Sequence, residues 1–197
     1  MKAFLVELKT SLLLTLVFAV LLCGAYPLVV WAGAQALFPA KANGSLITAA
    51  DGTVRGSALL AQSFTSDKYF QPRPSAAGTG YDAASSSGTN LGPTNRKLAD
   101  SVKAAVAAYR AANGLAADAP VPADAVTSSG SGLDPHISVA NARLQAARVA
   151  RARGLALPQV QALIAAHTTG PDWGLFGESR VNVLLLNLAL DQHGAIR

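Results

Sequence analysis

TSLLLTLVFAVLLCGAYPLVVWAGAQALFPA, residues 10–40, contains no charged side chain. Its densest part, residues 12–31, matches the ~20 apolar residues that a helix needs to cross a bilayer. A helix of this length in a soluble core would carry a polar face, which this stretch lacks. We therefore predict a short N-terminal segment over residues 1–9, a transmembrane helix over residues 10–34, and a polar domain over residues 35–197.

The length and the flanking charges of this helix predict how it sits in a membrane. The apolar run exceeds the ~7–15 residues of a secretory signal, which favours a retained helix, although cleavage after Ala32-Gly33-Ala34 is the alternative. Lys2 and Lys9 flank the N-terminal end, so the positive-inside rule predicts a cytoplasmic N-terminus and an extracytoplasmic C-terminal domain. Lys41 and Arg55 on the far side weigh against that orientation.

Small side chains recur along one face of the predicted helix. Residues four apart stack on the same face, and small residues at this spacing let a second helix approach closely in lipid. The candidate helix-packing residues are Ser11, Thr15, Ala19 and Cys23. The alternative is a plain single-span anchor. Pro27 is expected to kink the last turns.

Composition limits the classes to which the polar domain can belong. Residues 41–197 are enough for one domain with its own core, and Cys23 is the only cysteine, so no intramolecular disulfide can form. The formal net charge of +5 would be compatible with nucleic acid as a partner. However, no aromatic residues interleave with the one arginine cluster, so we predict solvated surface charge and no nucleic-acid binding. That cluster consists of Arg143, Arg148, Arg151 and Arg153.

Turn chemistry and hydrophobic periodicity predict an α+β fold for this domain, following the single N-terminal transmembrane helix. Asp51-Gly52 predicts a hairpin turn between strands at 46–47 and 54–60. The expected helices run from Asn95 or Thr94 to Ala112, from Val139 to Arg153 after a Ser138 cap, and onward from Pro158. The expected further strands are a short one within 121–129 and a buried one over 181–191.

Residues 65–96 form a long segment without a hydrophobic period. It is rich in Ser, Gly, Pro and Asn, which is typical of an exposed loop. Yet it carries Tyr69, Phe70, Arg73 and Tyr81, which a pure linker rarely contains. Loops of ~30 residues inside a compact domain are usually functional or disordered. We therefore expect an ordered loop wrapped on the domain.

Patterns typical of catalysis or metal binding are weak. The chain has no GxxxxGK[ST] phosphate-binding loop, and its three histidines have no spacing typical of metal ligands. Ser131, Asp134 and His136 are close in sequence, and a membrane-tethered extracytoplasmic hydrolase using them is the alternative hypothesis. The serine is not in a G-x-S-x-G elbow, because Ser129 replaces the first glycine. We predict no catalytic residue and no metal site, and instead features that suit a protein partner.

Several motifs resemble the C subunit of the Kdp-type potassium-transporting ATPase. YFQPRPSA at 69–76 is similar to that family's YFxGRPSA, with Pro72 in place of the usual glycine. VNVLLLNLALD at 181–191 resembles the terminal signature, with Leu185 where the family commonly has Glu. Further similar segments are NGSL at 43–46, VRGSALLAQSF at 54–64, SSGTNLGPTNRKL at 86–98, VTSSGSGLDPHIS at 126–138 and VARARGL at 149–155.

The resemblance implies an accessory, non-catalytic subunit of a complex that imports potassium at the expense of ATP. The implied partners are a channel-like potassium-translocating subunit and a P-type ATPase subunit in the bacterial inner membrane. The complex would handle ATP and potassium, and the C subunit would act as a catalytic chaperone that raises the pump's affinity for ATP. Because an extracytoplasmic domain cannot touch cytoplasmic ATP, we expect coupling through the complex or through the helix.

We expect the domain to cap the external ion entrance and to contact its partners through two loops. The candidate contact residues are Tyr69, Phe70, Arg73, Asn90 and Asn95 in the first loop and Asp134 and His136 in the second. The alternative role is loop stabilisation, because Asn and Asp often bond to local backbone groups.

Overall fold

The computed structural model describes residues 1–49 and 51–194. The chain divides into two compact units, Met1–Arg55 and Gly56–Arg197. Within them, one long apolar helix at the N-terminus is followed by short strands and further helices. The predicted combination of an N-terminal apolar helix and a mixed α/β remainder is therefore confirmed.

The first unit is dominated by one helix. It consists of α1 (Lys2–Phe18), a π-helical segment (Ala19–Ala25) and α2 (Tyr26–Leu37). An 18-residue window of this helix has a mean hydropathy of 2.5, and none of the helix residues is buried, as expected for a helix whose apolar side chains face lipid. The helix extends beyond residues 10–34 at both ends.

The π-helical segment ends at Ala25, two residues before Pro27. Proline lacks an N–H, and in a regular α-helix its ring would meet the carbonyl of the residue four positions earlier, here Cys23. Tyr26 N–H bonds to the carbonyl of Leu21, five residues earlier, so the backbone there is wider than an α-helix. The irregularity that Pro27 predicts takes the form of a π segment.

A short helix and a hairpin follow in the chain. They are α3 (Pro39–Ala42), β1 (Leu46–Thr48) and β2 (Val54–Ser57), and the two strands form a two-stranded sheet. Gly52 adopts a φ of +83°, and Asp51 Oδ1 accepts the Thr53 N–H at 2.9 Å, so the predicted Asp-Gly turn is confirmed. The second strand is shorter than predicted, because the chain turns after Ser57.

The second unit combines helices with a three-stranded antiparallel sheet of order β3-β5-β4. Its helices are α4 (Arg96–Asn113), α5 (Val139–Arg153), α6 (Leu157–Ala166) and α7 (Val183–Gly194). Its strands are β3 (His136–Ser138), β4 (Thr168–Thr169) and β5 (Arg180–Asn182). The core lies between α5, α6, α7 and the sheet, where Val149, Val160, Val181, Leu186 and Leu190 are fully buried.

Local capping explains why α4 and α5 begin and end where the sequence predicts. Asn95 Oδ1 accepts the Lys97 N–H at 2.9 Å, and Ser138 Oγ accepts the Asn141 N–H at 3.0 Å. At the other ends, Gly114 and Gly154 both adopt a φ of +65°.

Two strand predictions are wrong. Only Val181 and Asn182 of the expected strand over 181–191 pair in the sheet, as part of β5, and the rest forms α7. Asn182 Oδ1 caps this helix by accepting the Leu185 N–H at 3.1 Å, and the buried positions 183, 186, 187 and 190 follow a helical period. The expected strand within 121–129 is instead a 3₁₀ turn (Ala123–Ala125), since prolines at 120 and 122 cannot donate ladder hydrogen bonds.

Candidate functional site

Residues 65–95 cross the second unit without forming a helix or a strand, and we call this segment the strap. It is nevertheless held by many hydrogen bonds to distant residues, which the following contacts show. The prediction of an ordered loop wrapped on the domain is confirmed.

Two buried side-chain amides bind the strap as a neighbouring strand would. Asn187 accepts the Phe70 N–H at 2.8 Å and donates to the Phe70 carbonyl at 2.9 Å. Gln145 accepts the Gln71 N–H at 2.7 Å and donates to the Gln71 carbonyl at 3.1 Å. Each amide thus satisfies both backbone polar groups of one strap residue, which burial would otherwise leave unpaired.

The side chain of Phe70 points into the core between these two contacts and has no exposed surface. A partner therefore cannot touch the Phe70 ring in this structure, and the residue anchors the strap by packing. Pro72 follows Gln71 in the strap. Since the two amides bond to the backbone of Phe70 and Gln71, the missing N–H of proline leaves this attachment intact.

Arg148 is buried beneath the strap and is surrounded by acceptors. Its guanidinium donates to the carbonyls of Asp67 and Tyr69 at 2.8 and 3.1 Å. It also donates to Asn113 Oδ1 at 3.0 Å and to Gln145 Oε1 at 2.9 Å. Burial lowers the pKa of Arg148, and the Asp67 carboxylate, 3.8 Å away, opposes that shift. One arginine thereby joins α4, α5 and the strap.

Tyr69 ties the strap to α5 and α7. Its hydroxyl donates to Asp191 Oδ2 at 3.1 Å, and the Arg153 guanidinium lies 4.8 Å from the centre of its ring. Arg153 also donates to Asp191 Oδ1 at 2.8 Å, so the three side chains form a closed group at the surface.

The structure brings Arg73 of the first predicted loop against Asp134 and His136 of the second. Arg73 Nη1 donates to Asp134 Oδ2 at 3.2 Å, and Nη2 donates to the Ser128 carbonyl at 3.3 Å. Asp134 Oδ1 accepts the His136 N–H at 3.0 Å and lies 3.3 Å from His136 Nδ1. Hydrogen bonding from His136, with a smaller contribution from the Arg73 charge, lowers the pKa of Asp134.

This charged cluster opens into a cleft of about 630 Å³ beside β3. Arg73, Asp134 and His136 are about one-quarter to one-third exposed there. The outward amides of β3 are already bonded, His136 N–H to Asp134 and Ser138 N–H to Asp124 at 2.8 Å, so this edge is closed to an added strand. The charged side chains that line the cleft are Arg73, Asp124, Asp134, Glu178 and Arg180, and the His136 imidazole lies among them.

Asn90 and Asn95 lie on the exposed end of the strap. Asn90 adopts a left-handed φ of +53°, which asparagine tolerates better than most residues, and Asn95 caps α4. In the described residues, no hydrogen bond joins either of them to the Arg73–Asp134–His136 cluster.

The geometry does not support the hydrolase hypothesis. Ser131 Oγ accepts the Leu133 N–H at 3.1 Å, which is the bond of a local turn. Within residues 1–49 and 51–194, no hydrogen bond links Ser131 to His136, so the nucleophile has no base to activate it.

The candidate helix-packing residues are exposed on the first unit's helix. Each four-residue step in an α-helix advances the side chain by ~40° beyond a full turn, so Ser11, Thr15 and Ala19 drift around the axis. The π segment holds more residues per turn, so its step from Ala19 to Cys23 falls short of a full turn. The π segment thus returns Cys23 towards the face of Thr15.

Comparisons with known proteins give consistent matches along the chain. Residues 8–192 match the family described as "KdpC: K+-transporting ATPase, c chain". A protein named "Potassium-transporting ATPase KdpC subunit" from Mycobacterium bovis is 56% identical over 186 residues, covering 94% of this chain and 98% of the relative. Proteins of the same name from Nitratidesulfovibrio vulgaris and Rhodospirillum rubrum are also 56% identical, covering 93% and 94% of this chain and 92% and 95% of the relatives.

Proposed function

The chain belongs to the KdpC family of K⁺-transporting ATPase c chains, and on that premise we propose that it is a non-catalytic accessory subunit of a potassium-importing complex. The resemblance inferred from the sequence motifs is confirmed by this membership, and the hydrolase alternative has no support. The observation that carries the proposal is 56% identity across 94% of the chain, which includes both the apolar helix and the strap.

The proposed partners are a channel-like potassium-translocating subunit and a P-type ATPase subunit. In this proposal the apolar helix spans the bacterial inner membrane with residues 1–9 in the cytoplasm, and residues 35–197 lie outside. Lys2 and Lys9 at the N-terminal flank support that orientation.

ATP and potassium are handled by the partner subunits in this proposal. An extracytoplasmic domain affects ATP affinity only by binding one pump state more tightly than another, so its effect on nucleotide binding is indirect. Either the helix or the external domain could make the contacts with the pump that differ between its states.

We assign partner contact to the cleft at Arg73, Asp134 and His136. Its side chains are partly exposed and hydrogen-bonded to one another, so a partner would meet a preorganised set of charges. Tyr69, Asn90 and Asn95 stay candidate contacts on the same strap, whereas Phe70 supports the contact surface from inside the core.

Co-purification in a mild detergent tests the proposal. The tagged full-length chain should retain the channel-like and ATPase subunits, and cells that lack it should fail to grow at low external potassium. His136→Ala should weaken retention, whereas His193→Ala, an exposed position on α7, should leave it unchanged. A full-length chain that retains no membrane partner would contradict the proposed function, and equal retention by both variants would contradict the assigned contact face.

A further inference from the structure

The turn between β4 and β5 carries the most exposed large apolar side chains among the described residues of the second unit. Trp173, Leu175 and Phe176 are 91%, 82% and 61% exposed, and we call these three residues the apolar tip. The rings of Trp173 and Phe176 are in edge contact, with centroids 6.0 Å apart. Adjacent apolar side chains exposed to this extent mark a binding surface more often than a solvated one.

Hydrogen bonds within this turn pair four of its backbone N–H groups. Asp172 N–H donates to the Phe176 carbonyl at 2.8 Å, and Phe176 N–H donates back to the Asp172 carbonyl at 3.0 Å. Gly174 N–H donates to the Pro171 carbonyl at 3.0 Å, and Leu175 N–H to the Asp172 carbonyl at 3.2 Å. A backbone group that leaves water for lipid without a partner is costly, so these four internal bonds lower the cost of moving the turn into lipid.

The acidic side chain at the base of the tip is paired with an arginine. The Arg180 guanidinium donates to Asp172 Oδ1 at 3.1 Å, so the carboxylate nearest to Trp173 in sequence is paired. The tip therefore combines an uncharged apolar surface with a turn in which four backbone N–H groups are bonded internally. Trp, Leu and Phe are the side chains that interfacial membrane segments use for insertion.

We propose that the apolar tip inserts into the interfacial layer of the bilayer and gives the second unit a membrane attachment separate from the helix. This inference rests on the membrane anchoring proposed above, because a domain tethered by a transmembrane helix stays at the bilayer surface. Insertion of Trp173, Leu175 and Phe176 restricts the orientations that the domain can take at that surface.

The two tryptophans of the chain allow a direct test. Trp31→Phe leaves Trp173 as the only tryptophan and reports on the tip, whereas Trp173→Phe leaves Trp31 and reports on the helix. Each full-length variant is placed in nanodiscs of phosphatidylcholine and phosphatidylglycerol, with or without lipids brominated on their acyl chains. We expect brominated lipids to reduce both emissions. The Trp173 emission should fall more with bromines near the carbonyl end than near the methyl end, and should resist aqueous acrylamide.

Matched variants identify the side chains responsible. In the Trp31→Phe background, Leu175→Ser and Phe176→Ser should reduce the quenching of Trp173 by brominated lipids. Leu157→Ser, at an exposed leucine on α6, should leave that quenching unchanged. All three positions are exposed, so the folded state should tolerate the changes.

The Trp173 and Trp31 emissions distinguish a failure of the tip proposal from a failure of the proposed membrane anchoring. If Trp31 is quenched by brominated lipids while Trp173 is not and stays open to acrylamide, the tip proposal is overturned. If Trp173 becomes protected only after the other pump subunits are added, the tip binds protein, and the proposal is likewise overturned. If Trp31 itself escapes quenching, the proposed anchoring fails, and the tip proposal fails with it.

Discussion

At the scale of single residues, the second unit depends on buried side-chain amides. They bond to the backbone of the strap as a neighbouring strand would. Gln145 lies on α5 and Asn187 on α7, and each is 1% exposed. Both backbone groups of Phe70 and of Gln71 are satisfied by these amides. Removing one amide therefore leaves a buried N–H and a buried carbonyl without a partner.

Asn187→Ala should destabilise the second unit for this reason. We expect a loss of about 1–3 kcal/mol in the free energy of unfolding, the cost of leaving buried polar groups unpaired. Urea unfolding of the full-length chain in detergent, followed by near-ultraviolet circular dichroism, measures the change. Gln192→Ala on the same helix is exposed and should change stability little. Equal effects of the two substitutions would show that the strap does not depend on the amide.

Asp134 predicts a pH dependence of stability. Hydrogen bonds from His136 and the Arg73 charge hold its pKa below the usual value in the folded state. A lowered carboxyl pKa stabilises the fold above the unfolded-state pKa of about 3.9, and this contribution is lost as the pH falls through the folded-state pKa. Stability should therefore decline below about pH 4.

Asp134→Asn should flatten that decline, because the amide does not titrate. Urea unfolding at a series of acidic pH values measures both curves. Asp100→Asn, at an exposed position on α4, should leave the slope of the parent chain unchanged. Parallel curves for the parent chain and Asp134→Asn would rule out a contribution from this ion pair.

At the scale of elements, the ends of helices with local caps can be predicted from the sequence. Whether a short run of large apolar residues forms a helix or a strand cannot. Asn95, Ser138, Gly114 and Gly154 bound α4 and α5 through contacts within one turn, so the sequence is sufficient there. Residues 183–190 are wrongly predicted as a strand, because a short continuous apolar run is typical of both a buried strand and a buried helix. The missed signal was the Asn182 cap.

The small side chains on the first unit's helix predict that a second helix packs against it in lipid. Ala19→Leu or Cys23→Leu should weaken assembly of the complex more than Val20→Leu, because bulk on the small face blocks close approach of a second helix. The retained fraction of partner subunits in detergent measures the effect. Val20 lies in the same π segment and is the matched position. Equal assembly of all three variants would remove the packing role.

At the scale of the whole molecule, the prediction concerns which side of the membrane the domain occupies. A reporter that is active only outside the cytoplasm, fused after Arg197, should give a signal, since Lys2 and Lys9 favour a cytoplasmic N-terminus. The same fusion with a reporter that is active only in the cytoplasm is the control and should be silent. A cytoplasmic signal would reverse the orientation and permit direct contact between the domain and nucleotide.

The sequence by itself determined the apolar helix, the ends of α4 and α5, and the family, because each depends on composition, local hydrogen bonds or short motifs. Only the tertiary structure decided that Phe70 is a core residue and that Arg73 meets Asp134, sixty-one positions away. It likewise decided that Gln145 and Asn187 hold the strap. These pairings depend on how helices and loops pack over long separations, and no local period or cap encodes which buried amide will meet which backbone group.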